Sequence, residues 1–170
     1  MNISKIGLSV RMLDLTDVDQ IKNLLRENLL REKLQTVSFE QIESCLDEED
    51  YALYEQIPLT HTFGAFVKGE LVAMAVASYV RVFPCEDTPN GVFIHLSGCY
   101  TKPNYRHKGY MSAIIQKIGE FAKEVNADYL SCDNLQSNDA KARDFFLVNG
   151  FEDISDGESR MWKRLKHKEN

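Results

Sequence analysis

The stretch Tyr100-Thr101-Lys102-Pro103-Asn104-Tyr105-Arg106-His107-Lys108-Gly109-Tyr110-Met111 decides how the chain is to be read. Upstream of it, Gly91–Thr101 is rich in Val, Phe, Ile and Leu, the composition of a strand. Downstream, Tyr110, Met111, Ile114, Ile115, Ile118, Phe121, Ala122 and Val125 recur about every 3.6 residues, so a helix is predicted from His107 to Asn126. A strand that passes into a helix through a Pro-Asn turn leaves the first N–H groups of that helix unpaired, at its positive end. Such an end seats phosphate. Arg106, His107 and Lys108 add cationic donors there, and Gly109 has no Cβ to hold a ligand off the backbone, so a diphosphate is the expected ligand. Without a ligand the same residues are a turn with solvated bases, and this pattern alone leaves both readings open.

Outward from this stretch, the punctuation is equally regular. Gly7–Leu13 alternates in part, with Leu8, Val10 and Met12 on one face, and reads as a strand that ends at Thr16-Asp17. Asp19, three residues after Thr16, suggests an N-cap, and Val18, Ile21, Leu24, Leu25 and Leu29 follow at helical spacing. Ser38-Phe39-Glu40-Gln41 repeats a capping box before Ile42 and Leu46, which predicts a second helix. Thr60–Val67 and Glu70–Val82, joined by Lys68-Gly69, read as an antiparallel hairpin, and Phe83–Asn90 as a surface loop. Beyond the central helix come a buried strand at Asp128–Cys132, a helix carrying Ala140, Phe145, Phe146 and Val148 that stops at Asn149-Gly150, and a last strand at Ser159–Leu165. The order β-α-α-β-β-β-α-β-α-β-β is that of an α/β layered fold with a mixed sheet. No repeat or long linker divides it, so residues 1–170 are read as one domain.

Composition narrows the function. With 170 residues, 44% hydrophobic and 27% charged, and only 9 Gly and 4 Pro, collagen-like, low-complexity and disordered classes are excluded. Twenty basic against 26 acidic residues, a net charge of −6, oppose any whole-surface attraction to nucleic acid or anionic lipid, so neither is expected as a partner. No apolar run approaches the roughly 20 residues that span a bilayer, and Met1-Asn2-Ile3-Ser4-Lys5 lacks a secretory h-region, which leads to the expectation of a cytoplasmic protein. Cys45, Cys85, Cys99 and Cys132 form no CxxC pair and are expected as reduced thiols; His61, His95, His107 and His167 show no ligand spacing, so no metal is expected.

The loop resembles the fingerprint of the GNAT superfamily of N-acetyltransferases, [Q/R]-x-x-G-x-[G/A] opening a helix, with Arg106, Gly109 and Met111 at its three defined positions. Ala142-Arg143-Asp144-Phe145-Phe146-Leu147-Val148-Asn149-Gly150-Phe151 is similar to a second family motif, A-x-x-[F/L]-Y-x-x-x-G-F. The resemblance implies a mixed, mostly antiparallel sheet with one splayed parallel pair and helices on both faces. It also implies acetyl-CoA as cofactor, with direct transfer of its acetyl group, in a ternary complex, to a primary amine of a small molecule or protein. The pantetheine arm would lie between the strands ending near Tyr100 and Cys132. By position, the cofactor contacts fall on Tyr100 and Thr101 at the strand end, on the backbone of Arg106, His107, Lys108, Gly109, Tyr110 and Met111, and on Phe146. Asn138 stands one place before the family's cofactor-contacting Asn, a position that Asp139 fills here.

Acetyl transfer needs a base, because an alkyl amine of pKa about 10.4 is protonated at neutral pH. His95, on the strand before the loop, carries the side chain suited to it; a packed strand histidine is the alternative. Asn134 stands where some members have a Glu. A backbone N–H near Tyr100 or Thr101 is the expected oxyanion donor. Phe146 replaces the family's Tyr acid, which leaves water, Tyr100, Tyr105 or Tyr129 to stand in, and Met111 must turn aside or narrow the phosphate site. Cys99 and Cys132 are conceivable covalent acceptors. Asp47, Glu48, Glu49, Glu86 and Asp87 suggest an acidic rim for a cationic acceptor, with specificity set by the early helices and the loops at Pro58–His61 and Phe83–Asn90. The alternative function is a catalytically weakened acyl-CoA-binding sensor, favoured by Phe146 and Met111. The pattern leaves a homodimer open.

Overall fold

The computed structural model describes residues 7–32, 60–133, 140–154 and 160–165. The first strand, β1 (Leu8–Met12), leads into a 3-10 turn (Leu15–Asp17) and then α1 (Val18–Glu32). The cap differs from the Thr16–Asp19 arrangement expected from sequence. Asp14 accepts from the Thr16 N–H at 2.8 Å, and the Asp14 N–H donates back to Asp17 at 3.0 Å, so the box closes two residues earlier. Arg11 explains why: its guanidinium grips both oxygens of buried Asp17 at 2.7 Å and holds that carboxylate over the turn.

The hairpin is β2 (Thr60–Val67) and β3 (Glu70–Arg81); its two turn residues, Lys68 (φ 53°) and Gly69 (φ 83°), have the positive φ angles that a tight turn matching strand twist needs. Next come β4 (Val92–Thr101) and α2 (Tyr110–Glu124), then β5 (Tyr129–Asp133), α3 (Ala140–Val148), β6 (Glu152–Asp153) and β7 (Arg160–Arg164). The central helix starts at Tyr110 rather than His107, because His107 (φ 58°) and Gly109 (φ 80°) are left-handed and cannot belong to it. α3 ends as its Asn149-Gly150 signal predicted, with Gly150 at φ 83° and the Phe151 N–H donating to Phe146 O at 3.0 Å. The second early helix, Cys45 and the acidic residues Asp47, Glu48 and Glu49 lie outside the described residues.

Among the described residues the sheet has seven strands in the order β1-β2-β3-β4-β5-β7-β6, all neighbours antiparallel except the parallel pair β4–β5. Side chains alternate between its faces. Ala73, Ala75 and Ala77 of β3 join the larger core with Ile114, Ile115, Ile118 and Ala122 of α2, whereas Met74 and Val76 turn to the other face and Leu24 of α1. α3 adds Phe146 to the larger core, where Phe151 and Met161 also lie. Burying each large apolar side chain contributes roughly 1.5–3 kcal/mol, so the apolar stripe that α2 shows in sequence is also what clamps it to the central strands. No helix among the described residues is long and apolar enough to cross a membrane.

Candidate active site

The parallel pair is short. β4 and β5 are in register from Phe93–Tyr129 to Leu96–Cys132, after which β4 continues to Thr101 without this partner. Ser97, Gly98 and Cys99 are exposed although they occupy the middle strand of the sheet. A bulge produces the break: Ala75 of β3 is opposed by both Gly98 and Cys99, with Gly98 at φ 55°. The extra residue reverses the alternation, so Ile94 and Leu96 face α2 whereas Tyr100 joins Leu24, Phe66, Leu71 and Met74 on the face of α1.

The same ladder orients the strand end. The Lys102 N–H donates to Val72 O at 2.9 Å, which makes Ala73–Thr101 a non-hydrogen-bonded pair, and the N–H and C=O of Thr101 therefore point away from β3. By alternation the Tyr100 N–H points toward β3. Of the two residues expected to offer an oxyanion donor, Thr101 is the one whose amide faces the parted side. The Tyr100 ring is buried, with the Arg106 guanidinium 5.8 Å from its centre.

The loop is braced by its own side chains. Arg106 Nε donates to Thr101 O at 2.9 Å and Lys108 Nζ to Asn104 O at 2.7 Å. Two of the three bases expected to meet a diphosphate thus bind backbone carbonyls, one at the strand end and one in the loop, because those acceptors lie within reach once the chain turns. Glu70, at the start of β3, accepts from Lys102 Nζ at 2.8 Å and from the Tyr105 hydroxyl at 2.9 Å. These bonds hold the Glu70 carboxyl below its ordinary range and push the Tyr105 phenol up, so Tyr105 is an anchor of the loop rather than a proton donor to a thiolate. At the start of α2, Gly109 is a left-handed N-cap with no side-chain cap, and the first-turn N–H groups are presented by a residue without Cβ. Met111 packs against the larger core, which removes the narrowing its length suggested. An open helix start beside a parted strand pair is the shape a diphosphate with a long arm requires.

At the point where β4 and β5 part, His95 Nδ1 lies 3.1 Å from Ser131 Oγ, its register partner across the parallel pair, and His95 Nε2 lies 3.8 Å from Asp133 Oδ2. Sequence reasoning names His95 as a candidate base but not its neighbours Ser131 and Asp133, since nothing local tells residue 95 that it will lie beside residue 131. Tyr129 stacks on Phe93 with ring centres 4.9 Å apart, at the far end of the pair from the break, and is not placed to serve as an acid. Phe146 is buried between Phe145 and Phe151. Cys99 reaches solvent along the break, yet the protein packed around its sulfur pushes its thiol up to about 12, and burial does the same to Cys132, also to about 12; neither is poised as a nucleophile. Asp87 is ion-paired with Arg164 at 2.5 Å, so the rim loses that charge, while Glu86 is exposed. Asn134, Asn138 and Asp139 lie outside the described residues.

The fold and the site define a class, and the comparisons agree with it. The model of the acetyltransferase (GNAT) family matches residues 23–151, and the chain belongs to that family. It is therefore an acetyl-CoA-dependent N-acetyltransferase. A curated relative, thialysine N-epsilon-acetyltransferase of Bos taurus, is 27% identical over 138 residues, covering 77% of this chain and 81% of the relative. Among solved structures, a predicted acetyltransferase from Clostridium acetobutylicum, crystallised with acetyl-CoA, superposes with a TM-score of 0.68 at 17% identity over 88% of this chain and 92% of that one. The PaiA N-acetyltransferase of Thermoplasma acidophilum, in complex with coenzyme A, gives 0.65 at 19% identity over 94% and 99%.

Proposed function

We propose that this enzyme acetylates a primary alkyl amine of a small molecule, by direct attack within a ternary complex. The observation that carries the reading is the exposed break at Ser97–Cys99 in the central strand, beside the open helix start at Gly109. The backbone N–H groups of Gly109, Tyr110 and Met111 hold the coenzyme's diphosphate. Bound acetyl-CoA supplies an activated acyl carbon on a thiol of pKa about 8.5. A backbone N–H of β4 on the parted side, beside Ser97–Cys99, stabilises the oxyanion, and His95, one residue before the strands part, takes the proton from the acceptor. Phe146 has no hydroxyl, so the leaving sulfur takes its proton from water or from the amine itself, which a thiol's modest basicity permits. The name of the curated relative supports an amine on a flexible alkyl arm as acceptor.

The test is a mixture of protein, acetyl-CoA and a panel containing lysine, thialysine and 1,4-diaminobutane, with thiol release followed over time. Turnover of an alkyl amine is the expected result. Tight coenzyme binding with no turnover on any amine would overturn it in favour of an acyl-CoA sensor, the reading that the absent hydroxyl at Phe146 supports.

A further inference from the structure

We infer that Asp133 is the seat for the acceptor's ammonium group, with Ser131 positioning the His95 ring beneath it; this rests on His95 as the base. Asp133 ends β5 and shares a face with Ser131, two residues back, so both point to the side of the sheet that carries His95. Their environments differ. Ser131 is buried at 3% exposure and fixes one ring nitrogen, whereas the Asp133 side chain is 69% exposed and stands beyond hydrogen-bond range of the other, at 3.8 Å. A nitrogen about 2.8 Å from both Asp133 Oδ2 and His95 Nε2 completes a triangle that both can reach. An alkylammonium fits that place: its charge meets the carboxylate while one N–H donates to the Nε2 lone pair. Nδ1 then carries the ring proton and donates to Ser131 Oγ, an atom able to accept or donate as the tautomer requires.

The step balances. One ammonium proton passes to Nε2 and later to solvent, the freed lone pair forms the C–N bond, the C–S bond breaks with its electrons on sulfur, and the sulfur gains the second amine proton directly or through water. A neutral arylamine draws nothing from Asp133, so the seat selects alkylamines.

The experiment compares wild type, D133N, D133E and H95Q with 1,4-diaminobutane and p-anisidine as acceptors. The expected result for D133N is a fall of about tenfold or more in kcat/KM for the diamine relative to p-anisidine, arising in KM, with D133E partly restoring it. H95Q instead lowers kcat for both acceptors. Equal loss on both acceptors in D133N overturns the proposal. So does a lowered Tm with unchanged KM, the outcome if Asp133 only balances Arg160, opposite it in the β5–β7 register. Should the wild type acetylate neither amine, the proposed activity fails separately. The seat is then read by NMR of the His95 ring in the coenzyme A complex: 1,4-diaminobutane must shift it in wild type and not in D133N, and no shift in wild type overturns the seat.

Discussion

The Nε–H of Arg106 donates to the carbonyl of Thr101 at 2.9 Å, tying the first residue of the loop fingerprint to the last residue of the strand it leaves. Since that carbonyl and the Thr101 N–H lie on the same side of the strand, one bond sets both the course of the loop and the side toward which the Thr101 amide faces. The guanidinium braces the backbone of the loop, so under the proposed function its effect on the coenzyme is expected to pass through that backbone.

A positive charge at residue 106 is therefore not enough. R106K keeps the charge but replaces the fork by a point donor on a flexible stem, so it is expected to raise the KM for acetyl-CoA about tenfold, nearly as far as R106A. Steady-state kinetics at two ionic strengths check this; a side chain that met phosphate directly would leave R106K close to wild type.

Gly109 stands at φ 80° as the N-cap of α2. G109A is expected to cost about 1–2 kcal/mol from left-handed strain and to weaken coenzyme binding, because relief of the strain re-aims the first-turn N–H groups. Thermal unfolding and calorimetric titration with coenzyme A read the two effects.

Met111 fills the place where the fingerprint has Gly or Ala, but its side chain packs on the larger core. M111A is expected to lower stability by about 1–3 kcal/mol without tightening coenzyme binding. An affinity gain in the same titration would mean that the side chain obstructs the phosphates.

Restoring the family hydroxyl with F146Y is expected not to raise kcat. The ring is buried against Phe145 and Phe151, and a hydroxyl placed there without a partner costs about 1–3 kcal/mol. Comparison of kcat and Tm for the variant and wild type decides it.

The bonds from Arg11, with that from the Asp14 N–H, hold the Asp17 carboxyl below its ordinary range. A lowered folded-state pKa favours the native state at pH above the unfolded value, about 3.9, and that contribution is lost as pH falls through the folded one. D17N is accordingly expected to reduce Tm near neutrality and to flatten its decline in acid, as followed by circular dichroism.

The kinds of described element and their order were readable in sequence because they depend on local periodicity and punctuation: α2 from its apolar stripe, the β2–β3 hairpin from Lys68-Gly69, the end of α3 from Asn149-Gly150. The family fingerprint in the loop was readable for the same reason, since Arg106, Gly109 and Met111 lie within a few residues of one another. Where several local partners compete, reading residues one by one fell short. Asp14 rather than Thr16 caps the entry to α1, because Arg11 holds Asp17 in place, and Arg106 and Lys108 turn to backbone carbonyls of the strand end and the loop. The pairing of His95 with Ser131 and Asp133, and the bulge that sends Tyr100 to the opposite face from Leu96, belong to tertiary structure alone. They arise from the register of strands distant in sequence, and a residue's own neighbours along the chain carry no record of which strand will lie beside it.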